Sequence, residues 1–333
     1  MRHVDKLLSI WKGRAFIPAL ICAILSAVLM RGGFWSFLFL IPLGFMAYAY
    51  SPSSAWLSWI FASALNLIVT VILVRYHDIG FSDWIFNILY LTVMSLGFTW
   101  IMAGGNSRVR TVYRFVIASC AGAIVFFLIF LNPGSGLREV VKEQAEWLSS
   151  VYISAAGADA VQKSILEQSL TPEILLTAFN ELALCGGAVL SCFVLFFISR
   201  QAALIVAGIA RKRRFIEGFS AFHAPRETIW ALSLSLGFIL IFRRAGIAIP
   251  EYVAWNVLVI CGIIFLTQGA GITQYVLNRR SPLVRLLGNV VIIVVFLSPG
   301  INAMAAGILI LLGIAENWLP LRSPKIKAST PGQ

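Results

Sequence analysis

Polar side chains recur along the apolar stretch 251–277 and just past its end. Four of them and one glycine are separated by eleven, four, three and four residues: Asn256, Thr267, Gly271, Gln274 and Asn278. At about 100° per residue these positions share one face of an α-helix, and Gln268 and Tyr275 form an adjacent stripe. Because amides and hydroxyls can hydrogen-bond a polar solute, the pattern predicts a substrate-binding surface. The alternative is a packing surface held by interhelical hydrogen bonds.

The last apolar stretch, 301–319, carries one acid near its end. Glu316 shares a broad helical face with Asn302, Ala306 and Gly313. A carboxylate inside a membrane bundle pairs with a base or carries a proton. The alternative is an acid at the membrane surface that reaches water and pairs with Arg322 or a loop arginine. The predicted substrate-binding set is therefore Asn256, Thr267, Gln268, Gln274, Asn278 and Glu316.

Motifs for catalysis, nucleotides and metals are missing from the sequence. There is no G-x-x-x-x-G-K-[ST], H-E-x-x-H, G-x-S-x-G or C-x-x-C pattern. The three histidines are scattered, and the loops assigned to the cytoplasm lack the acid clusters that bind Mg²⁺. We therefore expect no enzymatic activity, no catalytic residue, no cofactor and no metal.

The composition places these residues in a membrane protein. Of the 333 residues, 59% are hydrophobic and 12% are charged, which is more apolar surface than a soluble fold of this size can cover. Ten apolar runs predict an all-α polytopic transmembrane bundle. They cover about 15–30, 34–50, 56–74, 85–103, 112–131, 173–199, 227–242, 251–277, 283–297 and 301–319. Three runs are short, so eight spans with two re-entrant or interfacial segments is the alternative.

The positive charges predict an orientation. With the N-terminus in the cytoplasm, 19 of the 26 Lys and Arg lie in cytoplasmic segments. The positive-inside rule then places both termini in the cytoplasm. The net charge of +12 is explained by these loops, so nucleic acid is not an expected partner. The basic start and the first apolar run, without a small-x-small site, predict an uncleaved signal anchor.

Two segments differ from simple loops. Residues 132–172 are expected outside the cytoplasm as amphipathic helices, and Thr171-Pro172-Glu173 predicts the start of the sixth span. Residues 200–226 carry the basic run Arg211, Lys212, Arg213 and Arg214. This run contacts anionic lipid or, alternatively, docks a soluble partner.

Glycines mark two further features of the spans. Gly186-Gly187 could break the sixth span, as in transporters with discontinuous helices, although a Gly-Gly pair also serves tight packing. Gly262, Gly269 and Gly271 would let a neighbouring backbone approach the eighth span closely.

The C-terminal third resembles the YybS-like family of predicted bacterial membrane proteins, a domain of unknown function. The resemblance covers roughly residues 180–322 and rests on three motifs. They are Phe222-His223-Ala224-Pro225, Gln268-Gly269-Ala270-Gly271-Ile272, and Leu312-Gly313-Ile314-Ala315-Glu316-Asn317-Trp318 followed by Arg322. That family implies a location in the bacterial cytoplasmic (inner) membrane and no established activity. It also implies an Asp where this chain has Glu316 or Asn317. The chain is more loosely similar to the substrate-binding subunits of energy-coupling-factor vitamin transporters, which lack their own ATPase and usually have six spans.

Together these observations predict a membrane protein that binds or transports a small molecule, with any energy supplied by a separate subunit. The alternative is a non-catalytic scaffold or assembly factor that recruits protein partners. A self-contained secondary transporter is a third hypothesis, although the two halves show no similarity. The predicted organisation is a five-span region (1–131), the external segment (132–172), a second five-span region (173–322) and a disordered cytoplasmic tail (323–333).

Overall fold

A computed structural model of the chain is helical throughout the part that it describes. That part comprises residues 15–31, 38–77, 81–103, 108–130, 142–144, 146–147, 150–151, 171–211, 222–298, 300–319 and 321–322, and it contains no strand. The predicted all-α class is confirmed.

The helices fall into two compact units, Met1–Phe215 and Ile216–Gln333. Unit 1 contains α1 (Phe16–Met30), α2 (Leu40–Ala49), α3 (Pro52–His77), α4 (Phe81–Ala103), α5 (Arg108–Phe130), α6 (Pro172–Leu182) and α7 (Ala188–Arg211). Unit 2 contains α8 (Glu227–Ala245), α9 (Ala248–Asn278), α10 (Pro282–Leu297) and α11 (Ile301–Ala315). Helix α7 packs against α2 and α5, although the sequence grouped it with the C-terminal region. The predicted division at 132–172 falls mainly outside the described residues and stays a prediction.

The helices of unit 1 alternate in direction. The Ser58 hydroxyl at the start of α3 donates to the Ala19 carbonyl at the start of α1, 3.1 Å away. The Ser26 hydroxyl late in α1 donates to the carbonyl of Phe39, just before α2, at 2.8 Å. Gly44 of α2 lies against Ala203 of α7. Thus α2, α4 and α7 finish at the end where α1, α3 and α5 begin, and we call this the basic end of unit 1.

Small residues bring the helices of unit 1 together around large apolar side chains. Gly122 of α5 lies against Met94 and Cys192, and Gly97 of α4 lies against Ala118. Without a hydrophobic drive between helices in lipid, close packing at small residues supplies much of the attraction. The fully buried side chains include Leu40, Leu43, Met46, Met94, Phe98, Phe115 and Phe196.

The described residues show five or six candidate spans, which does not clearly support the predicted ten. Within the described ranges, five helices are long and apolar enough to cross a membrane: Pro52–Ile72, Thr111–Ile129, Glu173–Arg211, Glu227–Ala245 and Ala248–Asn278. A sixth is gained if Pro282–Phe296 and Ile301–Ala315, bent by 119°, form one broken span or a re-entrant pair. Helices α1 and α2 have only 15 and 10 residues. At 1.5 Å per residue they reach about 22 and 15 Å, less than the roughly 30 Å of hydrocarbon.

The sixth predicted span begins and breaks where the sequence indicates. The Thr171 side chain accepts a hydrogen bond from the Ile174 amide, and Pro172 occupies the first turn of α6. Between α6 and α7, Ala183–Gly187 forms a π-helical turn in which Gly186 has φ +98°. A side chain at that φ would clash with the backbone, so Gly186 permits the interruption. The predicted break is confirmed.

In unit 2, α9 is the central helix, with α8 and α11 against it. Helix α8 ends at Gly246, whose φ of +70° lets its amide bond to Arg243 O and that of Ile247 to Phe242 O. This left-handed cap turns the chain sharply into α9. The remaining surface of α8, α10 and α11 exposes large apolar side chains such as Trp230, Leu240 and Met304, as expected for helices in lipid.

The alternation in unit 1 gives a test of orientation. Reporter fusions within residues 104–107 should be active in the cytoplasm, and fusions after residue 131 should be active on the opposite side. The reason is that the 23-residue helix α5 connects the two sites, and the positive charge is greater at the first. Arg108, Arg110 and Arg114 follow the first site, whereas only Arg138 lies within ten residues of the second. Alkaline phosphatase and fluorescent-protein fusions measure this directly, with expression level as the control. The same cellular side for both fusions would contradict α5 as a spanning helix.

Candidate functional site: a polar centre in unit 2

A buried polar centre joins three side chains and two backbone groups of unit 2. The side chains are Gln268 of α9, Glu316 at the end of α11, and Arg322 beyond it. The backbone groups are the carbonyl of Phe222 and the amide of Ala224, just before α8. These residues are separated by as many as 100 positions, so only the tertiary fold unites them.

Two glycines determine how α9 and α11 cross beside this centre. A Cβ on Gly269 would overlap the carbonyl oxygen of Leu309, and a Cβ on Gly313 would overlap that of Phe265. The two backbones are therefore in direct contact, which confirms the expected close approach at Gly269. Gln268 precedes Gly269, and Glu316 lies one turn after Gly313, so the crossing holds both side chains at the same place.

Glu316 and Arg322 form a two-pronged ion pair. Arg322 Nε donates to Glu316 Oε1 at 2.5 Å, and Arg322 Nη2 donates to Oε2. The same Nη2 atom donates to the Phe222 carbonyl at 2.7 Å. Only 5% of the Arg322 side chain and 4% of the Glu316 side chain is exposed. The burial of Glu316 matches the interpretation of a buried acid paired with a base, and its partner, Arg322, is the one named in the alternative.

Gln268 links the ion pair to the segment before α8. Its Nε2 donates to Glu316 Oε2 at 2.9 Å, and its Oε1 accepts from the Ala224 amide at 2.9 Å. Gln268 is 2% exposed. A buried amide with both ends bonded stabilises one arrangement of its partners, because any other leaves a polar atom unsatisfied.

The other members of the predicted substrate-binding set do not join this centre. Asn256 donates to the Tyr252 carbonyl, and Thr267 donates to the Ile263 carbonyl, each within α9 at 2.8 Å. Gln274 is half-buried and Asn278 is exposed at the end of the helix. Thus the structure brings together Gln268 and Glu316, and it leaves Asn256, Thr267, Gln274 and Asn278 along the rest of α9.

The predicted docking run begins within unit 1. The Arg211 guanidinium lies 4.4 Å from the centre of the Tyr50 ring, at the basic end. Lys212, Arg213 and Arg214 lie outside the described residues, as do most of 132–172 and all of 323–333. Their roles stay predictions.

The sequence analysis assigned Arg114 and Arg200 of unit 1 only to setting the orientation in the membrane. In the structure both also pack against aromatic rings. Arg200 of α7 is 4% exposed, with its guanidinium 5.9 Å from the Tyr48 ring centre. Arg114 of α5 lies over Trp100 at 5.4 Å. The sequence around these two arginines has no Asp or Glu in 84–138 or 182–216.

The chemistry available at the polar centre is recognition of charge and proton exchange. It offers one carboxylate, one guanidinium and one amide. No cluster of three His, Cys, Asp or Glu that could hold a metal ion occurs in the described ranges. A solute with a charged group could exchange with either member of the ion pair.

Comparison with known proteins identifies the family. A family model described as "Predicted membrane protein (DUF2232)" matches residues 19–315, from α1 to the last residue of α11. The match extends well beyond the C-terminal region in which the sequence motifs suggested a membrane protein family of unknown function. None of the curated proteins and none of the solved structures compared matches the chain. Since the model covers most of its length, this chain belongs to the DUF2232 family of predicted membrane proteins.

Proposed function

We propose that this protein binds a small charged or polar solute at the polar centre, in a bacterial inner membrane. The observation that carries the proposal is the Glu316–Arg322 pair, almost fully buried and bonded to Gln268. Ionisable groups inside membrane proteins are costly, and they mark solute, ion or proton sites more often than they serve packing. The solute would displace one partner of the pair. The lack of a nucleotide motif and the kinship suggested with YybS-like proteins and energy-coupling-factor subunits support a binding subunit energised by a separate protein.

A scaffold or assembly factor is the second candidate, and a different observation favours it. Both ends of Gln268 and both oxygens of Glu316 are already bonded within the protein, and the α9–α11 backbones touch at Gly269 and Gly313. A centre that is fully satisfied and closely packed can serve only to hold unit 2 in shape. Partner recognition would then use other surfaces, among them the basic run that begins at Arg211.

Replacing Gln268 or Gln274 by leucine separates the two functions. Gln274→Leu should cost little, because losing an interhelical amide contact in a membrane costs only about 0.6 kcal/mol on average. Gln268→Leu should cost about 1–3 kcal/mol, because it leaves the Ala224 amide without its acceptor. Both variants should still accumulate. Under the binding proposal, Gln268→Leu should abolish complementation of a strain that lacks the gene, because the solute loses its amide partner. Thermal midpoint in detergent, measured beside complementation, distinguishes loss of function from loss of fold.

Asn278→Leu is the matched control, since Asn278 is exposed on the same helix. It should complement like the wild type. Full complementation by both Gln268→Leu and Gln274→Leu would show that the polar residues of α9 do not bind a solute. The scaffold function would then be favoured.

A further inference from the structure

The buried ion pair of unit 2 joins a residue at the end of a helix to a residue beyond it. Glu316 caps the C-terminal end of α11, and Arg322 lies in a turn six residues further along the chain. The Arg322 guanidinium donates to both carboxylate oxygens of Glu316 and to the Phe222 carbonyl. The oxygen atoms of this part of unit 2 therefore bind a cationic group that the chain itself supplies.

The Glu316 carboxylate is held by the packed helices. Glu316 follows Gly313, where the α11 backbone lies against the Phe265 carbonyl of α9. Its Oε2 atom accepts from Gln268 Nε2 at 2.9 Å, and Gln268 is fixed in turn by the Ala224 amide. Moving the carboxylate would break its hydrogen bond to α9, and moving its backbone would open the α9–α11 crossing. Arg322 is the partner that can leave without disturbing either helix.

The electrostatics of this end of α11 favour a cation. The aligned peptide dipoles of a helix place a partial negative charge at its C-terminus. The Glu316 carboxylate adds a full negative charge there, and it is only 4% exposed. Without Arg322 that carboxylate would be buried and unpaired, which is costly. A solute that displaces Arg322 must therefore bring a positive charge of its own.

The geometry of the contacts indicates the class of cation. The Nε and Nη2 atoms of Arg322 meet the two oxygens of Glu316 side-on, and Nη2 also reaches the Phe222 carbonyl at 2.7 Å. A planar fork of N–H groups fits such a set of oxygens, whereas an ammonium ion is a point charge without a fork.

We infer that Arg322 occupies the place of a small solute that carries a guanidinium or amidinium group. The solute displaces Arg322, while Glu316 and Gln268 stay in position and Glu316 binds the solute cation. This inference rests on the proposed function. It adds the chemical class of the solute and identifies the residue that competes with it.

Competition by Arg322 has a measurable consequence. A protein whose site is open for only part of the time binds its ligand more weakly, in proportion to that fraction. Because Arg322→Ala leaves the site open, a free guanidinium should bind this variant at least about tenfold more tightly than it binds the wild type. The same ligand should raise the thermal midpoint of the variant, since it binds the folded state and supplies the cation that Glu316 lacks.

The test uses the purified full-length protein in detergent. Calorimetric binding and thermal midpoints would be recorded with ethylguanidinium, ethylammonium and acetate at one ionic strength. Arg322→Ala should bind ethylguanidinium and gain stability, and both responses should disappear when Glu316→Gln is added to it. Arg280→Ala is the matched control, because Arg280 is an exposed arginine of the same unit, and it should respond like the wild type.

Several outcomes would overturn the inference. Equal affinity of Arg322→Ala and Arg280→Ala for ethylguanidinium would show that Arg322 does not compete, and equal affinity for ethylammonium would remove the guanidinium assignment. If acetate binds the wild type and ethylguanidinium does not, the solute is an anion: the proposed function stands and this inference is wrong. If none of the three compounds binds any of the proteins, both are wrong.

A second variant keeps the test decisive if Arg322→Ala does not accumulate. Arg322→Lys retains a positive charge but cannot reproduce the two-pronged contact. Ethylguanidinium should therefore displace the lysine more readily than it displaces the native arginine, and it should bind Arg322→Lys more tightly than the wild type. Binding to Arg322→Lys that is no tighter than to the wild type would contradict the inference.

Discussion

Gly269→Ala is expected to lower the thermal midpoint of unit 2 more than any other single methyl addition in α9. The new Cβ would overlap the Leu309 carbonyl oxygen, and a backbone atom cannot rotate away as a side chain can. Overpacking costs about 1–3 kcal/mol, and the rigid contact places this substitution at the upper end. Separating α9 from α11 would also move Gln268 away from Glu316, so the hydrogen bond between them should be lost. Thermal unfolding in detergent, followed by fluorescence and by retention of the monodisperse peak, measures the effect.

Gly262→Ala provides the control on the same helix. Its Cβ would meet only Ile310 Cδ1, at 3.8 Å, which is ordinary contact. Because Gly disfavours helices relative to Ala by roughly 0.5–1 kcal/mol, this control should be neutral or slightly stabilising. Gly307→Ala in α11, with nothing within 4 Å, should behave likewise. A Gly269→Ala protein as stable as these controls would show that the α9–α11 backbones are not in contact.

Arg322→Ala is expected to destabilise unit 2 by about 3–5 kcal/mol, because it leaves the Glu316 carboxylate buried without its cation. The substitution also removes the donor to the Phe222 carbonyl, so the segment before α8 should detach from the centre. Arg322→Lys should recover only part of the loss, since an ammonium cannot reproduce the two-pronged contact. The readouts are the thermal midpoint and protease sensitivity of residues 222–226.

The double variant Glu316→Leu/Arg322→Leu tests the origin of the loss. Replacing both members of a buried ion pair by apolar residues is often neutral, so much of the stability should return. Arg280→Ala, at an exposed arginine, should stay within about 0.5 kcal/mol of the wild type. If Arg322→Ala matched Arg280→Ala, the ion pair would not be buried. If the double variant were stable yet failed to complement, the pair would have a role beyond folding, as the binding proposal requires.

Features that depend on a few neighbouring residues were predictable from the sequence. Composition alone determined a helical membrane protein, because only lipid accommodates so much apolar surface. Thr171 and Pro172 predicted where α6 starts, and Gly186-Gly187 predicted the break after it. Such signals are local: a cap needs three or four residues, and a break needs one that tolerates positive φ.

The number of spans depends on the length and bending of the helices, which the pattern of apolar residues does not give. Apolar runs gave ten segments, whereas α1 and α2 have only 15 and 10 residues in the described part of the chain, and α10 and α11 meet at 119°. Hydrophobicity records what environment a residue prefers, and it does not record how long the helix is or how it bends.

Only some residues of the site could be predicted from the sequence, because helical periodicity does not show which helices pack together. Helical periodicity placed Asn256, Thr267 and Asn278 on one face of α9, yet two bond to their own helix and the third is exposed. Gln268 and Glu316 were expected as site residues, but their contact with each other depends on the Gly269–Gly313 crossing. The sequence by itself thus determined which side chains are costly to bury in a membrane. Only the tertiary structure decided which of them meet, because partners 48 residues apart along the chain are selected by backbone packing and by no local pattern.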